Sequence, residues 1–391
     1  MNKELVKSAL LSAFLSGAFF ENEFHVFFYI GILYLFVSFV SSRNFNDVFG
    51  NINKAWLTLF FFVLSVTIVS TPDQMTDLPL KWIYAILCFM CCCKDLRNNP
   101  KLLLPVLIGL SVTSLICCIM IEQGIGIGID AEGRELGEFR LSFFGANKNK
   151  VAITFCYAIA STLYLCFLLM KDTSIRKIMK MAGLYSCAII VLADIAAIIY
   201  TGSRGGLLAA VLCFLIFAYY CRTYLNSRLV SIILVLMIIV IGYKAYEIVV
   251  ESSMFMARME ATQAGDIGER DVLLDRALEC FEKNPIFGSG LYGIMNYLKS
   301  TIGEYKSPHN LYLWILDGGG LIGITMLLYL TISTAKYIWR EKHLLALLVF
   351  SVYLIDTLKN GAALTNKINY LFFAVALAVS YTNSIQKRIR T

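Results

Sequence analysis

Long apolar runs separated by short polar segments recur along the chain, and they set its architecture before any single residue is considered. The runs fall at roughly 5–20, 24–41, 55–71, 79–93, 102–121, 151–170, 180–200, 205–221, 229–250, 309–335, 343–358 and 368–383. Most are long enough to cross about 30 Å of hydrocarbon as a helix; the first and fourth are short. The pattern predicts an all-α polytopic membrane protein with about 12 transmembrane helices. Composition agrees, because 58% hydrophobic residues is too many for a soluble domain of 391 residues. No internal repeat or soluble domain interrupts residues 1–391, which read as a single transmembrane domain. The first apolar segment lacks a small-residue cleavage site and is followed by Glu21-Asn22-Glu23, so no cleavable signal peptide is expected.

The polar segments differ in charge. Alternate loops hold Arg43 and Lys54; Lys94, Arg97 and Lys101; Lys171, Arg176, Lys177 and Lys180; Arg222 and Arg228; Lys336, Arg340 and Lys342. Lys3, Lys7, Lys387, Arg388 and Arg390 lie near the two ends. By the positive-inside rule these loops and both termini are predicted cytoplasmic. The net charge of +7 is thus distributed by loop, which argues against a nucleic-acid partner. On the opposite side, basic residues concentrate in long or glycine-rich loops: Arg134, Arg140, Lys148 and Lys150, then Arg204, then Arg258, Arg270 and Arg276, then Lys359 and Lys367. Long loops translocate regardless of charge, so this charge either is incidental or has a use on that face.

Residues 251–308 form the longest polar segment, predicted to be an external loop. Within it, 269–284 carries a short amphipathic helix pattern, with Leu274, Ala277, Leu278 and Phe281 as its apolar stripe. Pro285 stops it and Phe287-Gly288-Ser289-Gly290 supplies a turn. Such a helix is predicted to lie on the membrane surface and to hold Arg270 near lipid headgroups. Everything else outside the bilayer reads as loop. Of 12 cysteines, Cys280 alone falls in an external loop, so no external disulfide pair is available, and no Cys/His spacing resembles a zinc site.

Six basic or acidic positions could carry chemistry. Arg204 sits in Tyr200-Thr201-Gly202-Ser203-Arg204-Gly205-Gly206, between two spans. Its fork beside bare backbone and a helix N-terminus suits a diphosphate; a tight turn with a snorkelling arginine fits the spacing equally well. Arg140 and Arg270, taken alone, read as solvated loop and helix-surface charges. His309, in Ser307-Pro308-His309-Asn310-Leu311, sits where a polar loop enters an apolar helix. It can take a proton from a hydroxyl near neutral pH, or simply cap the helix. Two acids lie at membrane depth, where charge is costly: Asp356, one turn from Lys359 and explicable as an ion pair, and Asp194, which could face the Arg204 hinge.

Taken in order, these segments resemble the O-antigen ligase and O-antigen polymerase superfamily, bacterial membrane glycosyltransferases of the GT-C class. The resemblance rests on Thr201-Gly202-Ser203-Arg204-Gly205-Gly206, on Arg270 preceding Pro285-Ile286-Phe287-Gly288-Ser289-Gly290, and on Pro308-His309-Asn310-Leu311-Tyr312-Leu313 with Gly320-Leu321-Ile322-Gly323. Arg140-Leu141-Ser142 with Asn147 or Asn149 is a weaker fourth match. The chain departs from the family at Leu274, where a tryptophan is frequent, and at Asp317, where glutamate is frequent.

The resemblance implies an undecaprenyl-diphosphate-linked glycan donor, inversion at the anomeric carbon, no metal and no cofactor. Arg204, Arg270 and Arg140 would hold the diphosphate and His309 would activate or orient the acceptor hydroxyl. Asn310 and Asp356 complete the candidate substrate-binding set. The acceptor would be lipid A-core, giving ligase activity in lipopolysaccharide biosynthesis, or another lipid-linked glycan, giving polymerase activity. The expected place is the bacterial inner membrane among its lipids, with the active site facing the periplasm. The competing class is a lipid-linked oligosaccharide transporter, which would need polar groups along a path through the bilayer.

Overall fold

The structure is a computed structural model that describes residues 3–20, 26–41, 51–72, 77–129, 141–144, 146–225, 232, 239, 242, 243, 269–303, 305, 307–359 and 364–390. The predicted span 229–250 falls almost wholly outside these residues. The other predicted runs are helical: α1 (Lys3–Ser16), α2 (Val26–Val40), α3 (Asn51–Ser70), α4 (Leu78–Asn98), α5 (Leu103–Glu122), α6 (Lys148–Lys171), α7 (Lys177–Tyr200), α8 (Arg204–Leu225), α11 (Leu311–Glu341), α12 (Leu344–Lys359) and α13 (Lys367–Arg390). Six of the described helices are long and apolar enough to cross a membrane: 100–122, α6, α7, 204–223, α11 and 367–385. Two shorter apolar helices, 27–40 and 54–70, accompany them. The protein is therefore a multi-pass helical membrane protein.

Outside the apolar helices, α9 (Glu269–Lys283) spans the segment read as an amphipathic helix, and the described residues around it are not all loop. A second surface helix, α10 (Gly293–Ile302), follows α9, and Ile127–Ile129 pairs antiparallel with Leu141–Phe143 in a small hairpin. Gly303 explains where α10 stops: at φ 78° it takes the left-handed C-terminal position and returns its N–H to the Lys299 carbonyl at 3.1 Å.

The centre of the bundle is built from α6, α12 and α13. Residues 151–163 of α6 and 371–380 of α13 are buried on every face, which accounts for their continuous apolar sequence. Tyr157 stacks on Phe372 with ring centroids 4.1 Å apart and 3° between planes. Several polar side chains in this core pair with one another. The Tyr157 hydroxyl donates to Asn369 Oδ1 at 2.9 Å, and Asn369 Nδ2 donates to Asp356 at 2.5 Å. Asn366 Nδ2 donates to the same carboxylate oxygen at 3.3 Å, so Asp356 ties three helices together. At the opposite end of the bundle, Asp95 takes Lys7 at 2.8 Å, Ser38 at 2.7 Å and Tyr34 at 3.1 Å, locking α1 and α2 onto α4.

The long helix α11 is broken. Gly320 has φ 61° and ψ −159°, a conformation that opens the ladder around Gly318-Gly319-Gly320. The segment Pro285–Gly290 wedges into the gap and takes over the lost bonds. Ser289 and Gly290 donate their N–H groups to the carbonyls of Asp317 (2.7 Å) and Gly318 (3.1 Å). In return, the N–H groups of Leu321 and Ile322 donate to Pro285 (2.8 Å) and Ile286 (3.4 Å). Irregular backbone inside a membrane helix needs such internal satisfaction, because hydrocarbon offers no partner. Only glycine fits: a Cβ at Gly320 would lie 2.3 Å from the Ile286 carbonyl oxygen, and one at Gly288 would lie 2.6 Å from Gly318 backbone.

Candidate functional site

Five helix ends meet around Arg204: the starts of α6, α8 and α11 and the ends of α7 and α12. The turn between α7 and α8 is set by Gly202, at φ 61°, whose N–H returns to Ile199 O at 2.9 Å. Ser203 then caps α8, its Oγ accepting from Gly206 N at 3.3 Å. The same hydroxyl donates to Asn149 Oδ1 at 3.1 Å, which brings the start of α6 beside the start of α8. The α6 start is capped by Asn147, which accepts from Asn149 N at 2.9 Å. Against Gly205 lies the stem of Lys359, the last residue of α12: a Cβ on that glycine would meet Lys359 Cδ at 3.3 Å. One residue earlier, Leu358 O accepts from Asn310 Nδ2 at 3.2 Å. The start of α11, with His309, is thereby tied to the same corner.

Asn310 is also the N-cap of α11, accepting from Tyr312 N at 2.8 Å and Leu313 N at 3.2 Å. The capping alternative for His309 is therefore not what the chain uses. His309 is exposed and has φ 50°, a left-handed conformation uncommon outside glycine. Strain of this kind concentrates at functional sites.

The electrostatics of this corner run against stability. Arg204 and Lys148 are the first residues of α8 and α6, with Lys150 close behind, and no acidic residue occupies the first turn of α6, α8 or α11. Cations at the positive end of a helix dipole are unfavourable by about 0.3–1 kcal/mol each. Three positive helix ends with three basic side chains produce a field suited to a polyanion.

The remaining sequence candidates have separate fates. Arg140 lies outside the described residues. Arg270 is in the first turn of α9, but its side chain lies outside them too. α9 packs on α11 and runs directly into the Pro285–Gly290 wedge, so its placement relative to α11 is fixed by backbone bonds. The predicted apolar stripe of α9 is only partly the buried one. Leu273, Ala277 and Cys280 face the protein, whereas Leu274 and Leu278 stay exposed, because the helix has one apolar face for α11 and a second for its surroundings.

Arg276 is bound to Glu279, with Nη1 2.6–2.7 Å from both carboxylate oxygens, and Tyr297 of α10 donates to Glu279 at 2.8 Å. These bonds, Arg276 first, hold the Glu279 carboxyl below the usual carboxylate range. Burial pushes the Cys280 thiol up to about 11, although sequence reading placed it in an external loop. Lys367 is buried among Phe27, Phe28 and Tyr84, 5.3–5.7 Å from the ring centroids.

Asp194 does not turn toward the Arg204 hinge. It is buried against α5, accepting from Ser114 at 3.2 Å and Cys118 at 3.7 Å. Asp356 takes the two asparagine amides described above and lies in the core, 1% exposed. The packing of Lys359 against Gly205 and the link that Asn149 makes between α6 and α8 left no sign in the sequence. Among the described residues, no group of three or more His, Cys, Asp or Glu side chains is placed to hold a metal ion.

Residues 187–328 match the family model described as O-antigen ligase. The match begins in α7 and ends in α11, so it contains Arg204, Arg270, His309 and Asn310. The match supports the resemblance to the O-antigen ligase and polymerase superfamily over that segment. A search of curated proteins found no match. That family implies a glycosyltransferase-like membrane enzyme with lipid-linked glycan substrates. Arg140, Asp356 and Lys359 lie beyond the matched segment.

Proposed function

We propose that this protein transfers a glycan from undecaprenyl diphosphate to lipid A-core, the ligase step of lipopolysaccharide biosynthesis, at the periplasmic face of the bacterial inner membrane. The observation that carries the reading is the convergence of three helix N-termini, Arg204, Lys148 and Lys150 on the corner to which His309 is tethered. In the reaction the acceptor hydroxyl oxygen attacks the anomeric carbon with inversion. The bond from that carbon to the phosphate oxygen breaks, and undecaprenyl diphosphate departs with the electron pair.

The hydroxyl proton passes to the imidazole of His309, whose ordinary pKa suits that exchange near neutrality. Negative charge on the diphosphate rises as the bond breaks. Arg204, Arg270 and Arg140, together with the helix ends, stabilise it in place of a divalent cation. Asn310 holds His309 in register. Asp356 serves the site from behind, by fixing α12 and α13.

Transfer onto a second lipid-linked repeat unit, the polymerase reaction, uses the same donor corner and differs only in acceptor. The test is the lipopolysaccharide profile of a host lacking the gene, with lipid-linked glycan assayed alongside. Bare lipid A-core with polymer accumulating on undecaprenyl diphosphate supports the ligase reading. Lipid A-core capped by one repeat unit replaces it with the polymerase reading. His309→Ala and Arg270→Ala should each abolish product at unchanged membrane abundance; full activity in both would sink the mechanism.

A further inference from the structure

The end of the bundle remote from the Arg204 corner holds a cavity of about 280 Å³. It lies between the last turns of α4 and α6, the far half of α13, the turn from α11 to α12, and the start of α5. Its walls are sorted by depth. His343 and Asn383 stand at the mouth, level with the α11–α12 turn, where Asn383 Nδ2 donates to Glu341 O at 2.8 Å. Val379 lies one turn further in from Asn383, and Leu107 one turn further in from Leu103. On the outer wall Leu104 is 48% exposed, so the cavity opens sideways between the helices.

A polar mouth over an apolar floor suits an amphiphile. Water in a buried site needs two to four polar partners, which the floor does not offer. A floor reached from the bilayer takes hydrocarbon instead. Small-molecule sites span about 300–1,000 Å³, so this one takes a chain segment and leaves the head of a lipid outside.

The charge at the mouth selects the head. Arg97 follows Leu96, Lys101 follows Pro100 and Lys342 precedes His343, each next to a residue of the wall. Lys101 and Lys342 are exposed, and Arg97 stacks over Tyr381, the residue before Thr382 in the wall, 4.4 Å from the ring centroid. The acids nearest in sequence are already engaged. Asp95 and Glu341 are buried with Lys7 at 2.8 Å and Arg340 at 3.2 Å, and Asp172 accepts from Ser174 at 2.7 Å.

We infer that this cavity is a site for an anionic glycerophospholipid, with an acyl segment on the apolar floor and the headgroup phosphate at the basic mouth. A zwitterionic lipid fills the floor equally well but brings no net charge to the cations. A second copy of the chain would bring its own basic loops to the same place. The face is the one that the positive-inside rule predicts to be cytoplasmic, where anionic lipids attract basic segments. The inference is independent of the donor reading.

Native mass spectrometry of the purified full-length protein, titrated in detergent with phosphatidylglycerol and phosphatidylcholine of the same chains, tests it. Wild type should hold one phosphatidylglycerol about tenfold more tightly than phosphatidylcholine. The double variant Lys101→Gln/Lys342→Gln should erase most of that preference and still take up either lipid. Leu104→Trp, which fills the cavity from its exposed side, should lose the tight adduct with both. Lys177→Gln, on the same predicted face but not beside the wall, should behave as wild type. Should a variant prove unstable, the wild-type melting temperature serves: phosphatidylglycerol should raise it more than phosphatidylcholine, by a margin that shrinks with added salt. Equal affinity of the wild type for the two lipids, or an unchanged preference in the double variant, would overturn the anionic assignment. Unchanged tight binding in Leu104→Trp would put the lipid elsewhere, and a preference lost equally in Lys177→Gln would reduce it to general surface attraction. A wild-type dimer that Leu104→Trp dissociates would put a second copy on this face in place of the lipid.

Discussion

Asn310 holds two helices with one side chain: its oxygen caps α11 while its nitrogen donates to Leu358 O at the end of α12, 3.2 Å away. The two functions separate by substitution. Serine caps a helix as well as asparagine but cannot reach across to α12, whereas alanine loses both roles. Asn310→Ser is expected to keep thermal stability close to wild type and to lower glycan transfer at least several-fold. Asn310→Ala should in addition lose about 1 kcal/mol of stability. Melting temperature in detergent and transfer rate, measured on both variants, check this. Equal activity in wild type and Asn310→Ser would show that the tether does not position His309.

How far the sequence revealed this site follows from what each residue depends on. The spans were legible because hydrocarbon imposes long apolar runs whatever the tertiary contacts. Arg204 and His309 were legible because each lies in a short motif with a local reason for its residue types. The packing of Lys359 was not, because it is a contact across 154 positions of chain with a glycine that merely leaves room for it. The amide partners of Asp356 were equally hidden, because Asn366 and Asn369 lie ten and thirteen positions further along the chain. The break in α11 did leave a signal, Gly318-Gly319-Gly320, but not the identity of the segment that fills it.

The Arg276–Glu279–Tyr297 cluster gives α9 and α10 a pH-dependent connection. The Glu279 carboxyl is held low in the folded protein, so its contribution is present above the ordinary carboxylate value of about 4.3. It is lost as pH falls through the lower folded value. Glu279→Gln should therefore loosen α9 and α10 at pH 7 and change little at a pH below the lowered folded value. Hydrogen exchange of 272–302, corrected for intrinsic rates, reads this directly. A variant that loosens both helices equally at the two pH values would contradict the sign.

The core position of Asp356 makes a different demand. Its carboxylate accepts from the amides of Asn366, just before α13, and Asn369, within it, and Asn369 passes the connection on to Tyr157 of α6. Asp356→Asn keeps the shape but leaves amide facing amide, and Asp356→Ala strands both donors in the core. Buried donors without partners cost about 1–3 kcal/mol. Asp356→Ala should thus lower the melting temperature and the yield of folded protein. Donor affinity, measured on the fraction that folds, should change little. A large loss of donor affinity at unchanged stability would instead put Asp356 in direct contact with substrate.

The wedge of Pro285–Gly290 into α11 is the feature that fixes α9, and so the helix bearing Arg270, against the helix that begins beside His309. Gly320→Ala and Gly288→Ala would each place a methyl inside van der Waals contact with backbone and force a left-handed residue to carry a side chain. Each should cost at least about 2 kcal/mol. Gly303→Ala is the control: its φ is also positive, at 78°, but nothing lies within 4 Å of the added carbon. It should cost about 1 kcal/mol and leave transfer intact. Cys280 reports on the wedge, because it is buried under α9 with its thiol pushed up to about 11 and should resist alkylation near neutral pH. Peptide mapping after maleimide treatment should find Cys280 protected in wild type and Gly303→Ala, but modified in Gly320→Ala. The activity of Gly320→Ala should fall in step, because Arg270 and His309 would no longer be held at a fixed separation. Protection of Cys280 in Gly320→Ala would mean that the wedge survives the added methyl and that α9 is anchored by its side chains alone.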